Sequence, residues 1–252
     1  METRIAIAGC CGRMGRAIAL AALQEKTVSV VSGFEAPNHE AIGRDYASLL
    51  GQALTLPVTV LGDAKKAIAQ ADVVIEFTLP EPTVTHIQIA SELGKPIVIG
   101  TTGLSGQQLG ILKAASAKIP IVFSPNMSLG VNLLFELAHL AAQRLGMAYD
   151  VEVIEAHHRQ KKDSPSGTAK KLMEKLAEAR KQSVSDIPVH AVRAGDIVGD
   201  HTVILAGPAE RLELTHRAHS REVFARGAVK AAQFVVSQKP GLYDMSHVLR
   251  AS

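Results

Sequence analysis

The residues best suited to chemistry crowd into one short stretch: Glu155, His157, His158, Lys161 and Asp163, followed by Ser164-Pro165-Ser166-Gly167-Thr168. Two imidazoles and an amine at the end of a predicted strand offer proton donors and cationic contacts to an anionic substrate. Ser164-Pro165 predicts a helix start, with Ser164 as cap and Pro165 as first helical residue. The amides of Ser166, Gly167 and Thr168 would then point at a carboxylate. A zinc site built from Glu155, His157 and His158 is a competing arrangement. Neighbouring strand residues point to opposite faces, which counts against it.

A second cluster opens the chain. Gly9-Cys10-Cys11-Gly12-Arg13-Met14-Gly15 follows a predicted strand and precedes a predicted helix. Glycines there let the backbone approach a pyrophosphate, and the helix start supplies unpaired N–H groups. The spacing is G-x-x-G-x-x-G, a variant of the usual dinucleotide fingerprint. Glu35 ends the second predicted strand about 20 residues on, the offset of a ribose-binding carboxylate. A carboxylate there accepts from the 2′-hydroxyl of NADH and repels the 2′-phosphate of NADPH. The next residue is Ala36, with no charge to hold that phosphate. The pattern therefore favours NADH, with NADPH possible if Arg13 or another basic side chain compensates. Phe77-Thr78, Gly100-Thr101-Thr102 and Ser124-Pro125-Asn126-Met127 end later strands, where ligands collect in open α/β sheets.

These residues need a scaffold, and the hydrophobic pattern predicts one. Strands are expected at 4–8, 27–35, 58–60, 72–78, 96–103 and 119–126. Helices are expected at about 13–24, 63–70, 82–94 and 105–117. That alternation means a Rossmann-type, doubly wound parallel sheet. Beyond it, a long helix at 128–146, a strand at 150–156, a helix from 165 to about 181, and strands at 201–207 and 211–218 predict a smaller α+β domain with an open mixed sheet. An Ala-rich helix at 221–237 is expected to return to the first domain. The expected division is 1–126 with 221–252, and 127–220.

Composition bounds the class. Of 252 residues, 47% are apolar, with six Phe, three Tyr and no Trp, and the net charge is +3. No basic run interleaved with aromatics suggests nucleic-acid binding. A mild positive balance suits small anions. Cys10 and Cys11 are the only cysteines, which excludes a disulfide framework and a cysteine zinc site and fits a reducing cytoplasm. No metal is expected. Arg13 and Arg16 interrupt the apolar start, so it does not read as a signal peptide. The helix at 129–145 carries Asn132, Glu136, His139 and Arg144, so no membrane span is expected.

Taken together, the motifs resemble the 4-hydroxy-tetrahydrodipicolinate reductase (dihydrodipicolinate reductase) family along nearly the whole chain. The resemblance runs through A-G-x-x-G-R-M-G, Glu76-Phe77-Thr78 and the G-T-T-G of 100–103. It is most specific in E-A-H-H-x-x-K-x-D-x-P-S-G-T-A at 155–169, and continues through 192–202 and 210–218. It implies a dinucleotide on Gly9, Cys10, Cys11, Gly12, Arg13 and Met14, with Glu35 on the ribose. Gly100, Thr101, Thr102 and Ser124 to Met127 would line the nicotinamide side. His157 would donate or accept the proton, Lys161 would be a second donor, and His158, Gly167 and Thr168 would hold the carboxylates of a small dicarboxylate. A homotetramer with pairing second-domain sheets is also implied. Ala36 stands where some members have arginine, and 181–191 is short where many have a longer loop. The alternatives are a related NAD(P)-dependent reductase of another amino or imino acid, and a dinucleotide-sensing module, which would need neither His157 nor Lys161.

Overall fold

The computed structural model describes residues 2–251. The chain forms two compact units, Met1–Met127 with Phe224–Ser252, and Ser128–Val223. No described helix is long and apolar enough to cross a membrane.

The first unit is built on β1 (Thr3–Ala8), β2 (Val28–Phe34), β3 (Val60–Leu61), β4 (Val73–Glu76), β5 (Ile97–Ile99), β6 (Pro120–Phe123) and β11 (Gly241–Tyr243). Val and Ile run without polar alternation through β4 and β5, and both strands are buried throughout. This is the signature of a parallel strand covered on both faces. All pairings are parallel, in the order β11-β6-β5-β4-β1-β2-β3. The order reverses at β1, between β2 and β4, and ligands of doubly wound sheets bind beside the strand ends at such a point.

The covering helices are α1 (Arg13–Leu23), α2 (Tyr46–Leu50), α3 (Ala64–Ala69), α4 (Pro80–Glu92) and α5 (Gly106–Ser116). Asp63 caps α3 through the Lys66 amide, and Ser105 with Gln108 forms a capping box on α5, satisfying amides that a helix start leaves unpaired. The third strand begins two residues later than expected, and β11 lies outside β6 at the sheet edge. β11, which the hydrophobic pattern does not predict, is only three residues long, too short to carry a periodic signal.

The second unit holds α6 (Leu129–Leu145), β7 (Asp150–His157), α7 (Gly167–Arg180), β8 (Val189–Arg193), β9 (Gly199–Ala206) and β10 (Arg211–Ala218). Its sheet runs β10-β9-β7-β8, with β7 parallel to β8 and antiparallel to β9. Val151, Val153, Val203 and Leu205 pack with Leu134, Ala138, Leu172 and Leu176 in one core. α8 (Glu222–Val235) leads back into the first unit, and α9 (Met245–Arg250) ends the described chain. Gly227 of α8 lies so close to Met127 that an added Cβ would sit 1.7 Å from its carbonyl oxygen.

The start of α7 differs from expectation. Ser166, not Ser164, is the cap, its hydroxyl accepting from the Ala169 amide. Pro165 therefore lies outside the helix, and Gly167 and Thr168 are its first two residues. The Ser166 amide is not offered to a ligand, because it donates to Glu155 Oε1 at 3.1 Å.

Candidate active site

In the first unit the glycine-rich turn links β1 to α1. Gly9 has φ +62°, a left-handed conformation that favours glycine. A Cβ on Gly15 would lie 2.2 Å from the Gly9 carbonyl oxygen and 2.6 Å from Cys10 Cα, so helix and turn touch backbone to backbone. α1 has no side-chain cap and no acid in its first turn, leaving its start electropositive. Glu35 follows β2 and accepts from the Cys11 amide at 2.7 Å. A cavity of about 650 Å³ opens beside it, lined by Gly9, Glu35, Ala36, Lys65, Thr78 and His86 among others. A tight turn, a bare helix start and a cavity floored by glycine at the sheet's switch point fit a dinucleotide.

The neighbouring strand ends are tied into one network. Glu76, fully buried at the end of β4, accepts from the Thr78 amide at 2.8 Å and the Thr83 hydroxyl at 3.2 Å, and pairs with His86 Nδ1. The Thr83 hydroxyl also lies 2.9 Å from that of Thr101, which is buried after β5. Gly100 packs under the Phe77 ring, where a Cβ would meet ring carbon at 2.1 Å. Thr102 is exposed beside it. The Ser124 hydroxyl donates to the Asn126 carbonyl at 2.8 Å, turning the chain through Pro125 to the buried Met127. The first unit thus brings together Gly9 to Met14 and Glu35, while Gly100 to Thr102 and Ser124 to Met127 follow neighbouring strands. Lys65 and His86 are not foreseeable from sequence: each is a lone polar residue on a helix, without a motif. Glu76 has a signal, a carboxylate closing an otherwise apolar strand.

The second unit assembles a different site, and strand geometry explains it. Alternation puts Glu155 and His157 on the same face of β7. Register then places His201 of β9 opposite Glu155 and Arg193 of β8 opposite His157. Glu155, fully buried, is the hub. His157 Nδ1 hydrogen-bonds Oε2, the two terminal nitrogens of Arg193 donate to both carboxylate oxygens at 2.9 and 2.7 Å, and the Ser166 amide completes the set. Burial would raise the Glu155 pKa, but Arg193, His157 and the Ser166 amide outweigh it and hold the carboxyl below its usual value. The Glu155 bond to Nδ1 orients the imidazole. Gly199 leaves room for the Nε2 edge of the ring, since a Cβ there would approach Nε2 to 3.1 Å. Burial depresses the His157 pKa, partly offset by Glu155.

His158 follows the strand, and its buried Nδ1 has no hydrogen-bond partner among the described residues. Lys161 pairs with Asp163 at 2.9 Å and keeps 23% of its side chain exposed. His157, His158, Lys161, Gly167 and Thr168 thus belong to one segment running from strand end to helix start. His201 is an addition to the expected set: it packs edge-on to His157 at 5.2 Å, and its Nε2 lies 3.3 Å from the Ser166 hydroxyl. Arg193 is another. Both reach the site through cross-strand register, which sequence spacing does not reveal.

His201 also makes stability depend on pH. Burial, reinforced by the neighbouring His157, pushes its pKa down to about 3 from 6.5. Below pH 6.5 the unfolded chain binds a proton there that the native chain refuses, so stability falls with pH by up to about 1.4 kcal/mol per pH unit. The Glu155 contribution is present above its ordinary pKa of 4.5 and is lost as pH drops through its lower native value, deepening the fall. Urea unfolding at pH 7.5 and 5.0 should show a marked drop in midpoint, and His201→Asn should shrink it. Equal drops in both proteins would contradict the assignment.

A doubly wound dinucleotide sheet joined to a mixed-sheet unit carrying a buried carboxylate–imidazole pair defines a class of two-unit NAD(P)-linked reductases and dehydrogenases. Within that class the chain belongs to the dihydrodipicolinate reductase family. The family's N-terminal model matches residues 3–127 and its C-terminal model residues 130–249. The chain is 44% identical to the 4-hydroxy-tetrahydrodipicolinate reductase of Magnetococcus marinus, covering 99% of both chains. It is 46% identical to that of Aromatoleum aromaticum, covering 99% of this chain and 96% of the relative. Among solved structures it is similar to a dipicolinate-bound dihydrodipicolinate reductase from Paenisporosarcina sp. TG-14, with a TM-score of 0.81, 26% identity and coverage of 97% and 98%. An amine dehydrogenase from Mycobacterium smegmatis shares the fold alone, with a TM-score of 0.64 and 14% identity.

Proposed function

We propose that the chain is a 4-hydroxy-tetrahydrodipicolinate reductase, reducing a cyclic, imine-type dicarboxylate to tetrahydrodipicolinate in lysine and diaminopimelate synthesis. The observation carrying this reading is the Glu155–His157–Arg193 cluster beside the helix start at Gly167-Thr168, in a chain of this family. A bound nicotinamide supplies the hydride. Gly9 to Met14 cradle its pyrophosphate, Glu35 takes the ribose, and Gly100 to Thr102 with Ser124 to Met127 line the nicotinamide side. The amides of Gly167 and Thr168, with the His158 ring, bind the substrate carboxylates. His157, held by Glu155, moves a proton at Nε2. Lys161 supplies a second donor at Nζ and opposes the substrate's negative charge.

Dipicolinate, the ligand of the Paenisporosarcina relative, serves as a probe of the anion pocket. Calorimetric titration should show binding to the wild type, weakened at least about tenfold, or 1.4 kcal/mol, in His158→Ala. Equal affinity would remove His158 from the pocket.

NADH is the favoured cofactor. Glu35 keeps carboxylate acceptor sites beyond the bond to Cys11, and Ala36 adds no charge. Lys65 lines the same cavity and leaves a route to NADPH, although it pairs with Glu92 at 3.0 Å. Glu35→Ala should weaken NADH binding about tenfold or more while sparing NADPH, an effect of the size of a lost charged hydrogen bond. Titrations of both nucleotides by fluorescence check this, and unchanged NADH affinity would overturn the ribose role.

The assembly is a homotetramer formed through the second-unit sheets. Supporting it, Ile154 and Val192 stand 36% and 44% exposed on the sheet face opposite the α6–α7 core. The two unpaired cysteines fit a cytoplasmic setting.

A further inference from the structure

Cys10 and Cys11 occupy the dinucleotide turn, and nothing in the reduction requires a thiol there. Their Sγ atoms lie 3.8 Å apart. In a tetrahedral zinc site with Zn–S bonds of about 2.3 Å, two sulfurs sit about 3.8 Å apart. The carboxylate of Glu35 brings a third donor, and the three ligand atoms all lie within 4.8 Å of one another. Two adjacent cysteines by themselves do not make a zinc site. β2 supplies what their spacing cannot show, an acid delivered by the fold.

The arrangement is held from within. The Tyr46 hydroxyl donates to the Cys10 carbonyl at 2.8 Å. Cys10 Sγ is seated against Gly33, where a Cβ would come within 3.0 Å of it. The Cys11 amide donates to Glu35 at 2.7 Å, tying the third donor to the backbone of the second. Cys10 is fully buried and Cys11 half-buried, so one sulfur anchors the site and the other faces its opening.

We propose that Cys10, Cys11 and Glu35 form a binding site for a thiophilic divalent cation such as zinc or cadmium, and that occupancy excludes the dinucleotide. Two thiolates and one carboxylate bind the ion, water takes the fourth position, and both thiol protons leave to solvent. No electron is transferred. Binding displaces both thiol protons, so affinity climbs with pH. The ion takes the carboxylate assigned to the ribose and stiffens the turn assigned to the pyrophosphate. The exclusion rests on that cofactor reading; the binding does not.

Cadmium is the probe, because its bonds to thiolate produce an ultraviolet charge-transfer absorption and the chain has only two cysteines. Reduced, full-length protein should take up one ion with that absorption and release two protons. Cys11→Ser should abolish the tight phase, and Glu35→Gln should weaken it about tenfold, which a bare pair of adjacent thiols would not show. Saturating NADH should weaken cadmium binding at least tenfold. Absence of the absorption, or indifference to both substitutions, overturns the site. NADH binding to metal-free protein is measured alongside. If NADH binds but cadmium gives no thiolate signal, this inference fails and the cofactor reading stands. If cadmium binds as described but NADH does not, the reverse holds. If both bind without competing, the exclusion is wrong.

Discussion

Replacing His157 with Gln should lower kcat by roughly 10²–10⁴-fold, the range lost with a positioned proton-transfer group, while NADH affinity stays unchanged. The cause is local. Glu155 is fully buried and fixes the ring through Nδ1, so Nε2 is the nitrogen left to exchange a proton. Glutamine keeps a polar group near the carboxylate but cannot move a proton at that position. Adding Lys161→Ala should remove the second donor and bring turnover close to background. Steady-state kinetics with a separate nucleotide-binding titration checks both halves of the expectation. Turnover surviving in the double variant would remove His157 and Lys161 from the reaction.

The second large effect concerns the nucleotide turn. Gly15→Ala should weaken dinucleotide binding more than about 100-fold, or 2.7 kcal/mol, and lower Tm by several degrees. The added methyl would stand 2.2 Å from the Gly9 carbonyl oxygen and 2.6 Å from Cys10 Cα. Both are backbone atoms, so no rotamer change relieves the contact, and the turn itself must move. Gly110→Ala of α5 is the control, since an added Cβ there meets nothing within 4 Å. Nicotinamide fluorescence titration and thermal melts compare the two. A Gly15→Ala protein that binds as well as Gly110→Ala would contradict the cradle.

Much of the architecture is legible in the amino-acid sequence. Strand–helix alternation over the first half is a strong periodic signal, and the parallel sheet follows it. The stretch 155–169 marks the segment that runs from Glu155 and His157 of β7 to the start of α7. What it cannot show is convergence. Glu155 enters the sequence reading only as a ligand of the competing zinc arrangement, yet register places Arg193 and His201 around it from two other strands. The helix cap falls at Ser166 rather than Ser164. Local propensity accepts either serine, while the Ser166 amide also gains a bond to buried Glu155. β8 and β11 escape the pattern for different reasons. β11 is three residues long, and β8 sits at a sheet edge with little burial, so hydrophobic alternation marks neither.

The most direct measurement is NADH oxidation by the purified chain, followed by absorbance, with substrate generated in situ by the synthase that precedes this reaction. Oxidation should begin only when that substrate appears, stop at one NADH per substrate, and yield tetrahydrodipicolinate. Saturable NADH binding without oxidation, on this or any other cyclic imine dicarboxylate, would contradict the account and leave a dinucleotide-binding protein whose buried Glu155–His157 pair serves some other purpose.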